Sequence, residues 1–334
     1  MSAQERLSVT PAFQLRLDVR RIVLVGRGDH VRRLANRITA SRNLLTEVVR
    51  IVQPAGEGDG DALAAQLTPE VLQREQVWAL VVASDLIRLL PAALLLQCRL
   101  NGIRVLDEGS FWERVARCID LDGATPSWLL SGGGFRYGPL ETFVKRLFDL
   151  VVAVVLILLT LPLMLVVAML IRCESRGPIL YRQERVGRRG EVFVLFKFRS
   201  MYEDAEAGGA PVWAAKGDAR ITRVGRFIRY TRVDELPQLW NVLRGEMSVV
   251  GPRPERPYFV ERLAAAIPLY AERHFVKPGI TGWAQVKAPY GASFEDAREK
   301  LRYDLYYIKN RTLAFDLRIL MATIRVVLWQ EGAR

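Results

Sequence analysis

Two neighbouring carboxylates, Asp234 and Glu235, stand in the segment Arg232-Val233-Asp234-Glu235-Leu236-Pro237, within a stretch dense in arginine. An ionised carboxylate can attack a phosphorus or ligate a hard cation, and guanidinium groups are natural partners of phosphate oxygens. Arg220, Arg223, Arg226, Arg229 and Arg232 lead up to the pair, and Arg253 follows it in Gly251-Pro252-Arg253-Pro254. Proline on both sides restricts the backbone at Arg253 and aims one guanidinium, as a phosphate clamp requires. The same arginines would equally serve as a solvated basic face or as contacts to lipid headgroups.

These side chains need an element to hold them. Leu236, Leu239, Trp240 and Leu243 recur at i, i+3, i+4 and i+7, which predicts an amphipathic helix that Gly245 terminates. Asp234 then falls at the N-cap, where acidic residues are common for purely structural reasons, and Pro237 lies in the tolerant first turn. A helix N-terminus also offers free N–H groups and a positive dipole end to a bound phosphate.

Composition narrows the chemistry. The net charge of +12 over 334 residues points to an anionic partner, namely nucleic acid, a membrane surface or a phosphorylated substrate. No nucleic-acid-binding module is recognisable, so a nucleic acid is not the expected partner. Cys98, Cys118 and Cys173 form no CxxC pair and read as reduced packing residues. With only His30 and His274, no histidine-rich zinc site can form, and any metal would be a hard, oxygen-bound ion, with Mg²⁺ favoured. The N-terminal residues carry no apolar run of signal-peptide type.

From Arg21 to Asp122, strand-like runs at Ile22 to Val25, Val48 to Val52, Val77 to Val82 and Ile103 to Leu106 alternate with helical spacing at Val31 to Thr39 and Leu86 to Leu100. That alternation predicts a small parallel α/β domain. Pro126, the glycines 132–134 and Pro139 mark a linker, and the acidic segment Gly56 to Asp61 an exposed loop. An uncharged run then extends from Leu150 to Ile171, interrupted by Thr160 and Pro162. Its length as a helix, roughly 33 Å, is enough to cross a bilayer core, and the length rule favours a spanning helix. Pro162 predicts a kink or break in mid-run. Lys145 and Arg146 before the run, with Arg172, Arg176, Arg182 and Arg185 after it, draw both ends to the cytoplasmic side. A helix, break and second helix entering and leaving by one face satisfies both constraints. Leu313 to Trp329 reads either as an interfacial helix with Arg318 and Arg325 on one stripe or as a core helix with a solvated stripe.

From Lys145 onward the motifs run in order: Lys145-Arg146-Leu147-Phe148-Asp149, Gly177-Pro178, Gln183-Glu184-Arg185-Val186-Gly187 and Phe196-Lys197-Phe198-Arg199-Ser200-Met201. Asp234-Glu235-Leu236-Pro237-Gln238-Leu239, Gly251-Pro252-Arg253-Pro254 and Lys277-Pro278-Gly279-Ile280-Thr281-Gly282-Trp283 follow. This series resembles the bacterial sugar transferase family, the monotopic polyprenyl-phosphate phosphoglycosyl transferases, and most closely the long form that builds exopolysaccharides and capsules. The long form usually begins with a transmembrane bundle, which this sequence lacks, and the family often has Ser-Pro where this chain has Leu161-Pro162.

The resemblance implies an α/β, Rossmann-like N-terminal domain at 1–125, a linker at 126–142, and a mainly α, membrane-associated catalytic domain at 143–334. It also implies a re-entrant helix at about 147–171, in place of the spanning helix that length favours. The implied reaction moves a phosphosugar from a UDP-sugar to polyprenyl (undecaprenyl) phosphate through a phosphosugar-aspartyl intermediate and releases UMP. This is the first membrane step of exopolysaccharide or capsule biosynthesis, at the cytoplasmic face of the bacterial inner membrane. By the same resemblance Asp234 is the nucleophile and Glu235 the Mg²⁺ ligand. Lys197, Arg199, Arg229, Arg253, Pro278, Gly279 and Thr281 lie on the substrate side, and Lys145, Arg146 and Pro162 meet polyprenyl phosphate or membrane lipids. A homodimer is left open. A glycosyl transferase releasing UDP and a membrane-associated scaffold are the alternatives.

In the N-terminal domain Gly26-Arg27-Gly28-Asp29-His30-Val31 approaches a dinucleotide fingerprint, but Val31 replaces its third glycine and the second strand ends Val52-Gln53-Pro54 without an acidic residue. A degenerate nucleotide fold for assembly or regulation is the expectation, with His30 and His274 as ordinary hydrogen-bonding residues.

Overall fold

A computed structural model describes residues 19–40, 45–54, 56, 60–83, 86–121, 134–135, 137–202, 218, 220–288, 291 and 293–329. The chain separates into two compact units, Met1–Ala116 and Arg117–Arg334. Most of the expected linker, and the segment 204–217, lie outside the described residues, as do residues 57–59 of the expected loop at 56–61, of which Gly60 and Asp61 instead begin a helix.

In the first unit the apolar runs become parallel strands β1 (Arg20–Val25), β2 (Thr46–Val52), β3 (Ala79–Val82) and β4 (Arg104–Asp107), in the order β2-β1-β3-β4. Every residue of β3 is buried, as expected of a parallel strand covered on both faces. Between the strands run helices α1 (Gly28–Ala40), α2 (Gly60–Gln66), α3 (Pro69–Arg74) and α4 (Ala92–Leu100). The helical spacing seen from Leu86 is realised only from Ala92, because Pro91 is suited to a helix start and not to its interior. The strand order differs from the 3-2-1-4 of the dinucleotide-binding fold and follows the flavodoxin-like pattern, in which β3 pairs with β1. Gly26 is needed for packing: a Cβ there would stand 2.7 Å from that of Val31, which is fully buried.

The second unit is built around one long helix, α5 (Pro139–Glu174), of 36 residues. It is long and apolar enough to cross a membrane. The helix is continuous through Pro162, where a kink or a break was expected, so the chain is not broken there. Proline removes one backbone donor, that to Leu158, and the turns on either side continue. Strands β5 (Leu180–Val186) and β6 (Val192–Phe198) form an antiparallel hairpin. Helices α6 (Arg223–Tyr230) and α7 (Gln238–Arg244) lead to β7 (Ser248–Val250), then α8 (Pro257–Ala266) to β8 (Gly279–Thr281), which pairs in parallel with β7. The unit ends in α9 (Trp283–Lys287), α10 (Phe294–Asn310) and α11 (Leu313–Trp329). Its core joins Ala153 of α5 to Leu239 and Val242 of α7, Leu301 and Leu305 of α10, and Phe315 and Ile319 of α11. On α11, Leu317, Met321 and Ile324 remain exposed beside Arg318 and Arg325.

Candidate active site

Period-two alternation in β6 puts Lys197 on the same face as the buried Phe193 and Leu195, so its ammonium points inward. The buried amide of Asn241 on α7 clasps that strand: its Oδ1 accepts from the Phe196 N–H at 3.1 Å, and its Nδ2 donates to the Val194 carbonyl at 2.7 Å. Between α6 and α7 the chain turns sharply at Arg232, a non-glycine residue in the left-handed region with φ 60°. The next three residues, Val233–Glu235, form a 3-10 turn that carries both carboxylates. Asp234 is therefore not the N-cap of a long helix. Pro237 occupies that position, because it lacks an N–H and the α-helix starts only at Gln238. Gly245, at φ 85°, ends that helix as expected.

Asp234 and Glu235 are both buried, with 8% and 7% of their surface exposed. Burying two adjacent carboxylates is costly unless cations meet them. Arg253 donates from Nη2 to Glu235 Oε1 at 2.7 Å and from Nη1 to Oε2 at 3.3 Å, while Lys197 Nζ donates to Oε1 at 3.2 Å. Arg232 Nη1 lies 3.8 Å from Oε1. Burial opposes the charge on Glu235, but Arg253 and Lys197 outweigh it and hold this carboxyl far below the usual range. Asp234 has the opposite fate. Burial and the neighbouring Glu235 charge raise its carboxyl above the ordinary value, and its Oδ1 is buried without a hydrogen-bond partner. Three cations face two carboxylates, so the cluster is net positive and one acceptor oxygen is unclaimed.

A rigid shell aims Arg253. Buried Arg273 donates from Nη2 to the Arg253 carbonyl at 3.0 Å and to Asp304 Oδ2 at 2.8 Å, and from Nη1 to the Tyr270 hydroxyl at 2.6 Å. Gly279 N–H donates to the Pro252 carbonyl at 2.9 Å, and Gly251 N–H to that of Thr281 at 2.9 Å. This crossing needs glycine on both sides: a Cβ at Gly279 would lie 2.1 Å from the Gly251 nitrogen, and one at Gly251 would lie 2.5 Å from the Lys277 carbonyl.

Of the residues that the resemblance places at the site, Asp234, Glu235, Lys197 and Arg253 thus converge, and the others make different contacts. Pro278, Gly279 and Thr281 are buried, and the Thr281 hydroxyl lies 2.7 Å from that of Thr323 on α11. They brace the Arg253 loop. Arg199, only 6% exposed, donates from Nη2 to the Ser175 carbonyl and hydroxyl at 2.8 and 2.9 Å, capping the end of α5. Arg229 sits half-buried on α6, and its side chain forms no hydrogen bond or ion pair among the described residues.

Lys145 and Arg146, expected at lipid phosphate, have their charges taken up inside the unit. The Lys145 ammonium is buried between Asp149 at 3.0 Å and Asp316 at 2.8 Å. Arg146 donates to the Val242 and Leu243 carbonyls at 2.6 and 2.8 Å, closing the end of α7. Pro162 is exposed on α5. Sequence reading missed Asn241, Arg273 and Asp304. A polar residue inside the apolar spacing of α7 was the available signal for Asn241, and nothing local marked the other two. In the first unit His30 Nε2 lies 2.9 Å from buried Glu108, the ordinary hydrogen bond expected of it.

A family model described as bacterial sugar transferase matches residues 140–330. The chain is 44% identical over 240 residues to a UDP-N-acetylgalactosamine-undecaprenyl-phosphate N-acetylgalactosaminephosphotransferase of Aeromonas hydrophila, covering 72% of this chain and 56% of that protein. It is 33% identical over 346 residues to an undecaprenyl-phosphate glucose phosphotransferase of Komagataeibacter xylinus, covering 97% and 62% of the two. A UDP-glucose:undecaprenyl-phosphate glucose-1-phosphate transferase of Xanthomonas campestris pv. campestris shares 41% identity over 213 residues, 63% of this chain and 44% of that one. The chain thus spans about half the length of these curated relatives, which are named for different sugars. With the match running through the second unit from α5 to α11, more than half of the chain, the chain belongs to the bacterial sugar transferase family.

Proposed function

We propose that this protein transfers a sugar 1-phosphate from a UDP-sugar to undecaprenyl phosphate, with Asp234 as nucleophile. The observation that carries this reading is the division of labour between adjacent carboxylates: Glu235 is locked by Arg253 and Lys197, while Asp234 keeps a buried oxygen without a partner. An Asp234 oxygen forms a bond to the sugar-side phosphorus as the bond to the bridging oxygen breaks, and UMP leaves with that electron pair. A phosphate oxygen of the polyprenyl acceptor then forms its bond to the same phosphorus, and the aspartyl–phosphorus bond breaks. A carboxylate approaching a diphosphate meets repulsion of about 4 kcal/mol per charge pair at 4 Å in an effective dielectric of 20. Lys197, Arg253 and Arg232 offset it with positive charge already in place.

We also propose Mg²⁺ at this pair. Glu235 is the residue that would hold it, by exchanging one of its cationic partners for the ion, which leaves the Asp234 oxygen free to attack. Bound there with substrate phosphates completing its shell, the ion would supply further neutralisation of the diphosphate.

The membrane reading is that α5 bends at Pro162 without losing its helical continuity, so that it enters and leaves the cytoplasmic face of the inner membrane as a re-entrant helix. Supporting it, Ala153 packs in the core with Leu239 and Val242, while Val167 and Ile171 pack against Phe198 and Ile228 of the same unit. Leu158, Leu159, Leu161 and Leu163, between those two anchors, are exposed.

Incubating the membrane-bound protein with UDP-sugars should yield a covalent phosphosugar on Asp234 and UMP in solution, and Asp234→Asn should yield neither. An adduct that survives in D234N, or UDP as the nucleotide product, would sink the proposal.

A further inference from the structure

A cleft of about 580 Å³ opens at the turn of the β5–β6 hairpin, with Arg188, Arg189, Arg244, Lys277, Glu191 and Glu246 among the residues that line it. It shares no residue with the Asp234 and Glu235 cluster. The carboxylates do not balance its charge: Glu246 is held by Arg244 at 3.3 Å and by Asn241 at 2.7 Å, and Glu191 is exposed. Arg189 is presented by a left-handed turn at φ 59°, and among the described residues neither it nor Lys277 forms a hydrogen bond or ion pair through its side chain.

At the floor of the cleft, a Cβ on Gly245 would lie 3.5 Å from both Lys277 Nζ and Arg146 Nη2. Lys277 is half-buried, and burial, Arg146 and Arg188 lower the affinity of its amine for a proton, with Asp149 acting the other way. A bound anion would relieve that cost. The cleft wall is also apolar, since Val192 and Val194 line it and are exposed, and Arg146 belongs to the apolar helix α5. Cations without partners beside exposed valines suit an amphiphile that carries a phosphate.

We infer that this cleft is a phosphate-binding site, separate from the reaction centre, that takes the phosphate group of a membrane lipid or of a free phosphate ion through Lys277 and Arg189. It does not depend on the proposed reaction, and its test needs no sugar nucleotide.

The full chain in dodecyl maltoside is treated with an amine-reactive ester, and acylation of Lys277 is followed by mass spectrometry. The reaction runs alone and with dihexanoyl phosphatidic acid, inorganic phosphate or dihexanoyl phosphatidylcholine. Phosphatidic acid should slow acylation about tenfold at ten times its dissociation constant, and phosphatidylcholine should not. Protection by phosphatidic acid but not by inorganic phosphate assigns a lipid, and equal protection by both assigns the free anion. Arg189→Gln should weaken the protection about tenfold while leaving the unprotected acylation rate unchanged, which reports an intact fold. Absent protection, equal protection by phosphatidylcholine, or full protection in R189Q would overturn the inference.

Discussion

Arg253 grips Glu235 with two nitrogens of one guanidinium, Nη2 to Oε1 at 2.7 Å and Nη1 to Oε2 at 3.3 Å. The fork satisfies both carboxylate oxygens at once, which a lysine ammonium cannot do. Arg253→Lys should therefore keep the charge and lose the geometry. The expected result is a fall in kcat of about ten- to a hundredfold, the worth of one charge-assisted hydrogen bond, with little change in melting temperature. UMP release kinetics check it, and an unchanged kcat would show that the fork is dispensable.

Acid should silence the site earlier than an isolated carboxylate would predict. As the proposed nucleophile Asp234 must be ionised to attack, and its carboxyl lies above the ordinary value of 3.8 because of burial and then the Glu235 charge. Activity is accordingly full above this raised value and is lost as pH falls through it. Glu235→Gln removes the like charge and frees the cations toward Asp234, so the acid limb of single-turnover adduct formation should move to lower pH. An acid limb that stays put, or moves upward, would contradict the assigned coupling.

Arg273 touches neither carboxylate of the pair, yet it holds the Arg253 carbonyl and Asp304 together. Arg273→Met should destabilise the protein by about 3–5 kcal/mol, since it leaves Asp304 buried and unpaired. Adding Asp304→Asn should restore most of the stability, because the orphaned charge is gone, but not kcat, because the Arg253 backbone remains unheld. Thermal unfolding in detergent, with kinetics on the same samples, separates the two effects.

Arg199 distinguishes a helix cap from a substrate contact. Its bonds to Ser175 predict that Arg199→Gln lowers stability by about 1–3 kcal/mol and leaves the KM for the UDP-sugar unchanged. A KM raised tenfold at unaltered stability would place Arg199 on the substrate after all.

At Gly279 the constraint is steric. A Cβ 2.1 Å from the Gly251 nitrogen has no room, and the obstacle is backbone, so Gly279→Ala should cost more than the 1–3 kcal/mol typical of overpacking. Expression followed by thermal unfolding would reveal it, and a wild-type melting temperature would refute the crossing geometry.

The sequence by itself determined the elements whose periodicity is local. The four strands of the first unit and the helix from Leu313 to Trp329 follow from spacing within one segment. Asp234, Glu235 and Arg253 were also legible, as residue types whose chemistry matches phosphoryl transfer, whereas Lys197 stood out only through the family resemblance of its motif. Only the tertiary structure decided what each charge meets. Lys197 and Glu235 lie 38 positions apart, and no spacing rule reaches that far. Side chains of one type consequently part company: Arg253 turns to the carboxylate pair, Arg199 to the end of α5, and Arg146 to the end of α7. Lys145, expected at a lipid phosphate, is enclosed by Asp149 and Asp316. The physical reason is that a buried charge must be neutralised where the packing puts it, and that packing is set by the whole unit, not by the residue's own neighbours in sequence.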